Sequence, residues 1–298
     1  MTRDRALVVL GTSSRTPTRE RNHNGYLLRW DGHAILFDPG EGAQRQLIRA
    51  GESPAAVDRV CITHLHGDHC LGLPGVVMNR SQHNASVPLE THAPAEDAWR
   101  VGRLIELTGE SAAGTRVRPA EPGDLVAPPP YRLWAARLDH DIPTLGYRLE
   151  EPDGRSMDPE ALAARGIHGP AVGRLQEAGQ LTVGGRTVTV DEVSRPRPGQ
   201  RVAFVMDTRP CEEAVALARD VDLLVIEATF LDEHAHLAER YGHLTARRAA
   251  EVAREAGARN VVLTHFSPRY RDPERIRAQA EEVVPNVHVA ADLDRIPV

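Results

Sequence analysis

His64-Leu65-His66-Gly67-Asp68-His69 packs three imidazoles and a carboxylate into six residues. Neutral imidazole and carboxylate are ligands that suit zinc. The run Val60-Cys61-Ile62-Thr63 stands directly before it and reads as a buried strand. A strand that turns into a helix here can aim closely spaced side chains at one point. Asp68 and His69 adjoin each other, so they can face a different metal from His64 and His66. A two-metal site follows from that division. The competing explanation is a surface cluster, because the chain contains 14 histidines.

Working outward, four further apolar runs end in the same way. Leu133 to Asp139 leads into His140, and Val202 to Met206 leads into Asp207. Leu223 to Ile226 leads into Glu227, and Val261 to Thr264 leads into His265. Each ends in a side chain that can bind metal or move protons. In layered α/β proteins, sites gather beyond the carboxyl ends of strands. Five such endings therefore predict one shared site, provided the strands lie side by side and point the same way. His23, His33, His83, His92, His168, His234, His236 and His288 lack this context and read as surface or structural residues.

Local signals fill in the rest. Asp31-Gly32 between two apolar runs predicts a hairpin. Helices are expected over 41–49, 68–80, 94–107 and 245–256, the last with Thr245 as N-cap and Gly257 past its end. The segment 151–200 is rich in Gly, Pro and Arg and lacks a sustained apolar period. It predicts an insertion with little core of its own: a loop, arm or excursion.

Bulk composition narrows the class. With 41% hydrophobic and 26% charged residues, the 298-residue chain reads as one globular domain. Aromatics are only 4%, so Val, Leu, Ile and Ala are expected to fill the core. The net charge of −6 does not announce a nucleic-acid binder. All basic residues are Arg, which pairs well with phosphate, although compositional bias is the preferred explanation. Three cysteines give no disulfide framework. No apolar stretch approaches the roughly 20 residues of a membrane helix, so a cytoplasmic location is expected.

At this point the residues resemble a known family. The HLHGDH run, a later lone His, a later Asp and a final His are similar to the motif series of metallo-β-lactamase-fold hydrolases. The resemblance implies an α/β fold of αββα type, with two facing mixed sheets and helices outside. It implies two Zn2+ per subunit, one held by His64, His66 and His140 and one by Asp68, His69 and His265. Asp207 would bridge them.

Within that superfamily the chain resembles the ribonuclease Z family of tRNA 3′-processing endonucleases over nearly its whole length. The matching blocks are Leu10-Gly11-Thr12 with Pro17-Thr18 and Arg21-Asn22, Asp38-Pro39-Gly40-Glu41-Gly42, Gly72-Leu73-Pro74-Gly75, and Thr264-His265-Phe266-Ser267. Glu227-Ala228-Thr229-Phe230 followed by His243-Leu244-Thr245 is similar to the family's Glu/His pair. Gly166-Ile167-His168-Gly169-Pro170 is similar to the Gly-Pro element of its tRNA-clamping arm. Pro39 stands where the family has Cys, and Met206 where it has Gly.

The implied roles follow. Asp68 orients and deprotonates water, and His243, oriented by Glu227, protonates the leaving oxygen. Gly169, Pro170, Ser267 and Arg269 are candidate substrate contacts. The implied partners are precursor tRNA and a second subunit of a homodimer, with no membrane. The implied organisation is one domain over 1–298 with an inserted clamping arm over 151–200. Asp38 and Glu41 read equally as partners of the metal ligands or as turn and cap residues. A small-molecule phosphodiesterase on the same site, and a metal-holding RNA-binding module without catalysis, are the competing expectations.

Overall fold

The computed structural model describes residues 4–85, 87–126 and 130–298. The first sheet opens with antiparallel β1 (Arg5–Gly11), β2 (Gly25–Trp30) and β3 (His33–Phe37). Asp31 and Gly32 turn β2 into β3, with φ of 49° and 94°. Two consecutive positive φ values are what a type I′ hairpin needs. The sheet continues in parallel through β4 (Arg59–Cys61), β5 (Leu89–Pro94) and β6 (Thr115–Ala120).

The second sheet begins with antiparallel β7 (Gly123–Val126), β8 (Arg132–Arg137) and β9 (Leu145–Glu150). The chain then leaves through β10 (Gly154–Met157), β11 (Gln180–Val183), β12 (Arg186–Thr189) and β13 (Ser194–Arg197). It returns as β14 (Arg201–Val205), which pairs with β9 antiparallel. β15 (Leu223–Glu227), β16 (Asn260–Thr264) and β17 (His288–Val289) extend the sheet in parallel. β18 (Arg295–Pro297) goes back to the first sheet, beside β1.

Helices α1 (Ala43–Arg49), α2 (Gly67–Cys70), α3 (Leu73–Gln82) and α4 (Ala98–Glu106) fall within the first half. α5 (Pro159–Ala164) and α6 (Pro170–Ala178) lie between β10 and β11. α7 (Glu212–Ala218), α8 (Ala235–Tyr241), α9 (Ala246–Ala256) and α10 (Glu274–Glu281) accompany the second sheet.

Side chains alternate between two kinds of core. Leu7, Val9, Leu28 and Ile35 meet Leu133, Leu149, Val202 and Val225 between the sheets. Val8, Leu27, Leu36 and Val60 face outward and pack under Leu47, Val76 and Val101 of the helices. On the other side Ala203, Leu224, Ile226 and Leu263 pack against the alanine-rich faces of α7 and α9. Strands covered on both faces must be apolar at every position, which is why they read as continuous runs. The scarce aromatics are concentrated where the sheets meet. Tyr26, Trp30, Phe37, Tyr147 and Phe204 are all buried there, and Phe37 stacks on Phe204 with centroids 3.8 Å apart. Composition alone concealed that concentration.

Two helices differ from expectation. The one predicted over 68–80 is two helices, because Leu71 and Gly72 separate α2 from α3 and Pro74 restarts the chain. The one predicted over 94–107 begins at Ala98, because Pro94 finishes β5 and residues 95–97 form a turn. α9 matches: Thr245 Oγ1 accepts from the Arg248 amide, and Gly257 closes the helix at φ 68°.

The segment between β9 and β14 has more order than its composition suggested. β10 pairs with β13, β11 pairs with β12, and α5 is capped by Asp158. Leu162, Ile167, Leu175, Val188 and Val193 form a small core there. Elements of four to nine residues are too short to display a period, and this hid them.

Candidate metal centre and active site

The five strand ends do converge, but on two sheets rather than one. β8, β14, β15 and β16 point the same way in the second sheet, and β4 comes from the first. The site therefore lies where the two sheets meet. Two bonds stitch that junction: Leu145 N donates to Thr63 O at 2.9 Å, and Tyr147 Oη donates to Ile62 O at 2.7 Å.

His64 and His66 leave β4, and α2 carries Asp68 and His69. Glycine is required where this loop crosses the next. A Cβ on Gly40 would lie 2.3 Å from Asp68 O, and one on Gly72 would lie 2.0 Å from Gly40 O. Asp38, Asp207 and His265 each follow a strand and each hold φ between 43° and 58°. Left-handed backbone at non-glycine residues costs roughly 1–3 kcal/mol each and clusters at functional sites.

His64, His66, His140 and Asp207 bring ligand atoms into one nest that could hold a metal. Asp68, His69 and His265 form a second. His140 Nε2 lies 3.4 Å from His66 Nδ1, and Asp207 Oδ2 lies 3.5 Å from His64 Nε2. His69 Nε2 and His265 Nε2 stand 3.6 and 3.5 Å from Asp68 Oδ2. Zinc bonds of 2.0–2.2 Å in a tetrahedron put ligand atoms about 3.3–3.6 Å apart. His64 Nε2 and His66 Nδ1 are closer, at 3.0 Å. Asp207 Oδ2 is also 3.4 Å from His69 Nε2, so one oxygen stands between both nests. Buried His69 Nε2 and His265 Nε2 have no hydrogen-bond partner among the described residues. The donor set and these orphaned nitrogens fit a metal.

The outer nitrogens explain which lone pairs face inward. His69 Nδ1 donates to Asp38 Oδ2 at 2.9 Å, and His140 Nδ1 donates to Gly242 O at 2.8 Å. His64 Nδ1 lies 3.0 Å from Thr63 Oγ1, and His265 Nδ1 lies 2.9 Å from Thr229 Oγ1. Such contacts fix the tautomer and aim Nε2 at the ion. Asp38, left open by the sequence, is thus a partner of His69. It also accepts from the Thr63 amide and hydroxyl.

Charge follows the same pattern. Burial, and then His69, push His64 well below the ordinary imidazole value, leaving a neutral lone pair. Burial disfavours charge on His69, yet Asp207, Asp68 and Asp38 together hold it well above that value. Burial would raise the Asp68 carboxyl, but His69 and His265 outweigh it and hold it below the carboxylate range. The nest thus attracts positive charge.

Beside it, His243 Nδ1 lies 3.0 Å from Glu227 Oε1. Glu227 is fully buried and also accepts from the Thr208 and Thr229 amides. Burial alone would lower His243; Glu227 and then Asp207 push it up to about 9. The arrangement can supply a proton at neutral pH.

An open cleft of about 420 Å³ exposes His66, Asp68, His140, Asp207, His243 and His265. Ser14, Arg15, His23, Leu71, Asp141 and Tyr241 complete its walls. His23 is half-buried there, in keeping with its reading as a surface or structural residue. Ser14, Arg15 and His23 come from the loop between β1 and β2, Leu71 follows α2, Asp141 follows β8 and Tyr241 ends α8, and no spacing in the sequence joins these places. Of the candidate contacts, Ser267 is buried and bonds its amide to Thr229 O. Arg269 Nε donates to Ser267 Oγ, and its guanidinium lies over Phe230. Gly169 and Pro170 start α6, outside the cleft walls.

Known proteins resemble this chain at every level. The model of the metallo-beta-lactamase superfamily matches residues 18–205, and that of the beta-lactamase superfamily domain matches 160–266. A ribonuclease Z of Nocardia farcinica is 54% identical over 297 residues, covering 98% of this chain and 97% of its own. One of Streptomyces coelicolor is 55% identical over 298 residues, covering 99% and 98%. Among solved structures, human tRNase Z, short form, superposes with a TM-score of 0.70 at 25% identity, covering 98% of this chain and all of its own. The chain therefore belongs to the ribonuclease Z family of the metallo-β-lactamase superfamily.

Proposed function

We propose that this protein is a zinc-dependent endoribonuclease that removes the 3′ trailer from precursor tRNA. The observation that carries the reading is the Glu227–His243 pair set beside two adjoining metal nests in an open cleft. A hydrolase that only needed to activate water would not need a second, protonated group across the site. Near-full-length identity to proteins named ribonuclease Z supports the substrate.

His64, His66 and His140 would hold one zinc and Asp68, His69 and His265 the other, with Asp207 between them. Bound there, the ions would supply Lewis acidity, acidifying water and offsetting charge on the phosphoryl oxygens. Asp68, whose Oδ2 is fixed by the Arg15 amide at 2.6 Å, would accept the proton of the attacking water on its other oxygen. As the new O–P bond forms, the bond from phosphorus to the 3′ oxygen breaks. His243, held protonated by Glu227, gives its proton to that leaving oxygen. The products are a tRNA with a 3′ hydroxyl and a trailer with a 5′ phosphate.

The segment 151–200 would act as the tRNA-clamping arm of a homodimer, reaching substrate whose 3′ end lies in the partner's cleft, with Gly169 and Pro170 at the contact. Ser267 and Arg269 would support the cleft wall and meet a neighbouring phosphate. Among the described residues no helix is long and apolar enough to cross a membrane. A precursor-tRNA substrate would place the enzyme in the cytoplasm.

The test is a choice of substrates. Zinc-loaded protein is offered a 3′-extended precursor tRNA and, separately, a small chromogenic phosphodiester. A kcat/KM for the precursor that exceeds the diester's by orders of magnitude is expected. Hydrolysis of the diester with an intact precursor would retain the metal site and overturn the substrate.

A further inference from the structure

Asp68, Asp141 and Asp207 line the cleft, and Arg15 is the only arginine among the residues that do. Asp141 is already paired with Arg209, at 2.8 Å, but that guanidinium does not line the cleft. Arg15 is exposed and makes no ion pair among the described residues. Its charge is therefore uncommitted at the mouth of the site.

Its backbone is the second observation. Arg15 holds φ 60°, where a side chain is disfavoured and glycine is the default. The turn that imposes this is well braced. Ser13 Oγ donates to Thr16 O at 2.7 Å, Ser13 bridges both His23 and Phe266, and Ser14 N donates to Phe266 O at 3.0 Å. The turn aims the Arg15 amide at Asp68 Oδ2. Glycine would supply that amide without strain. A large cationic side chain kept in this conformation, unpaired, beside the reacting centre calls for a role of its own.

We infer that Arg15 is a substrate-binding residue whose guanidinium takes a backbone phosphate next to the scissile one, favouring a polynucleotide over a small diester. This rests on the proposed endonuclease reading. Arg suits the task because its planar fork binds phosphate through two parallel N–H donors.

The test compares wild type with Arg15→Gly and Arg15→Lys. Glycine relieves the strain and keeps the amide, so the melting temperature of Arg15→Gly should equal or exceed that of wild type, and misfolding is not confounded with function. For Arg15→Gly, kcat/KM on precursor tRNA should fall about tenfold or more relative to the small diester, the range of one lost charged contact of ~1.5–3 kcal/mol. The slope of log kcat/KM against log salt should flatten by about 0.7–1, the signature of one lost phosphate contact. Arg15→Lys should recover part of both. Wild-type values for Arg15→Gly on both measures would overturn the inference. An equal loss on both substrates with an unchanged salt slope would also overturn it, placing Arg15 behind Asp68 only. If wild type itself spares the precursor, the endonuclease reading fails, an outcome distinct from either.

Discussion

Glu227 and His243 are separated by 16 positions in the chain yet lie 3.0 Å apart, because β15 ends at the first and α8 returns the chain to the second. A carboxylate buried this completely would be costly without its two amide donors and the imidazole. The pairing holds His243 near pKa 9, charged at neutral pH. Replacing His243 with Ala is expected to lower single-turnover cleavage of precursor tRNA by about 10²- to 10⁴-fold, the usual worth of a general acid. Metal content by mass spectrometry should hold near wild type, since the proposed ligands are untouched. A large loss of metal would instead make His243 a ligand, a role its place near Asp207 and His265 permits.

At this scale the sequence was informative. The clustered His and Asp side chains were legible because His64 to His69 are contiguous and the others end apolar runs. Asp38 was left open between partner and turn residue, and Thr63 and Thr229 were not legible as partners, because a hydrogen bond between side chains leaves no spacing in the sequence. Arg15 was hidden for the same reason: only the folded turn brings it to the cleft.

At the scale of elements, the segment from β10 to β13 is the clearest case. The six arginines of 151–200 face seven carboxylates, and three of those arginines are committed: Arg155 to Asp191, Arg186 to Glu192 and Arg197 to Glu151. Arg174 on α6 and Arg195 on β13 are exposed and have no carboxylate partner among the described residues. Near-neutral net charge therefore conceals two cations free to meet phosphate. The double change Arg174→Ala with Arg195→Ala should weaken tRNA binding about tenfold or more in a fluorescence anisotropy titration, with kcat on saturating precursor nearly unaltered. Undiminished affinity would remove this segment from the proposed binding surface. The hairpin at Asp31-Gly32 and the caps of α9 were readable because each depends on neighbours in sequence. The break between α2 and α3 was not, since an apolar period persists across it.

Over the whole molecule, the two sheets and the site are one design. The aromatic core of Tyr26, Phe37, Tyr147 and Phe204 fixes how the sheets sit, and the proposed ligands are contributed from both. The expectation of five strands side by side was right in direction for four and wrong about the sheet of the fifth, because periodicity carries no information on pairing.

Global stability should also show a pH signature from His92. It is buried on β5 with Arg59 against its Nε2; burial and that charge lower it to about 4. The unfolded chain takes up a proton near pH 6.5 that the folded one refuses until about pH 4. This group therefore costs nothing above pH 6.5 and progressively more as pH falls to 4, reaching about 3 kcal/mol. His92→Gln, whose amide oxygen can still accept from Arg59, should lose fewer degrees of Tm between pH 7 and pH 5 than wild type does. An equal loss would show that His92 is not the group concerned.

The central claim is that this cleft hydrolyses the phosphodiester at the 3′ end of tRNA. Its most direct test is to map both new ends after zinc-loaded protein acts on a 3′-extended precursor, with Asp68→Ala alongside. The account predicts one cut at the tRNA–trailer junction, a 3′ hydroxyl on the tRNA, a 5′ phosphate on the trailer, and no cut by the variant. A 3′ phosphate on the tRNA, or undiminished cutting by Asp68→Ala, would contradict it.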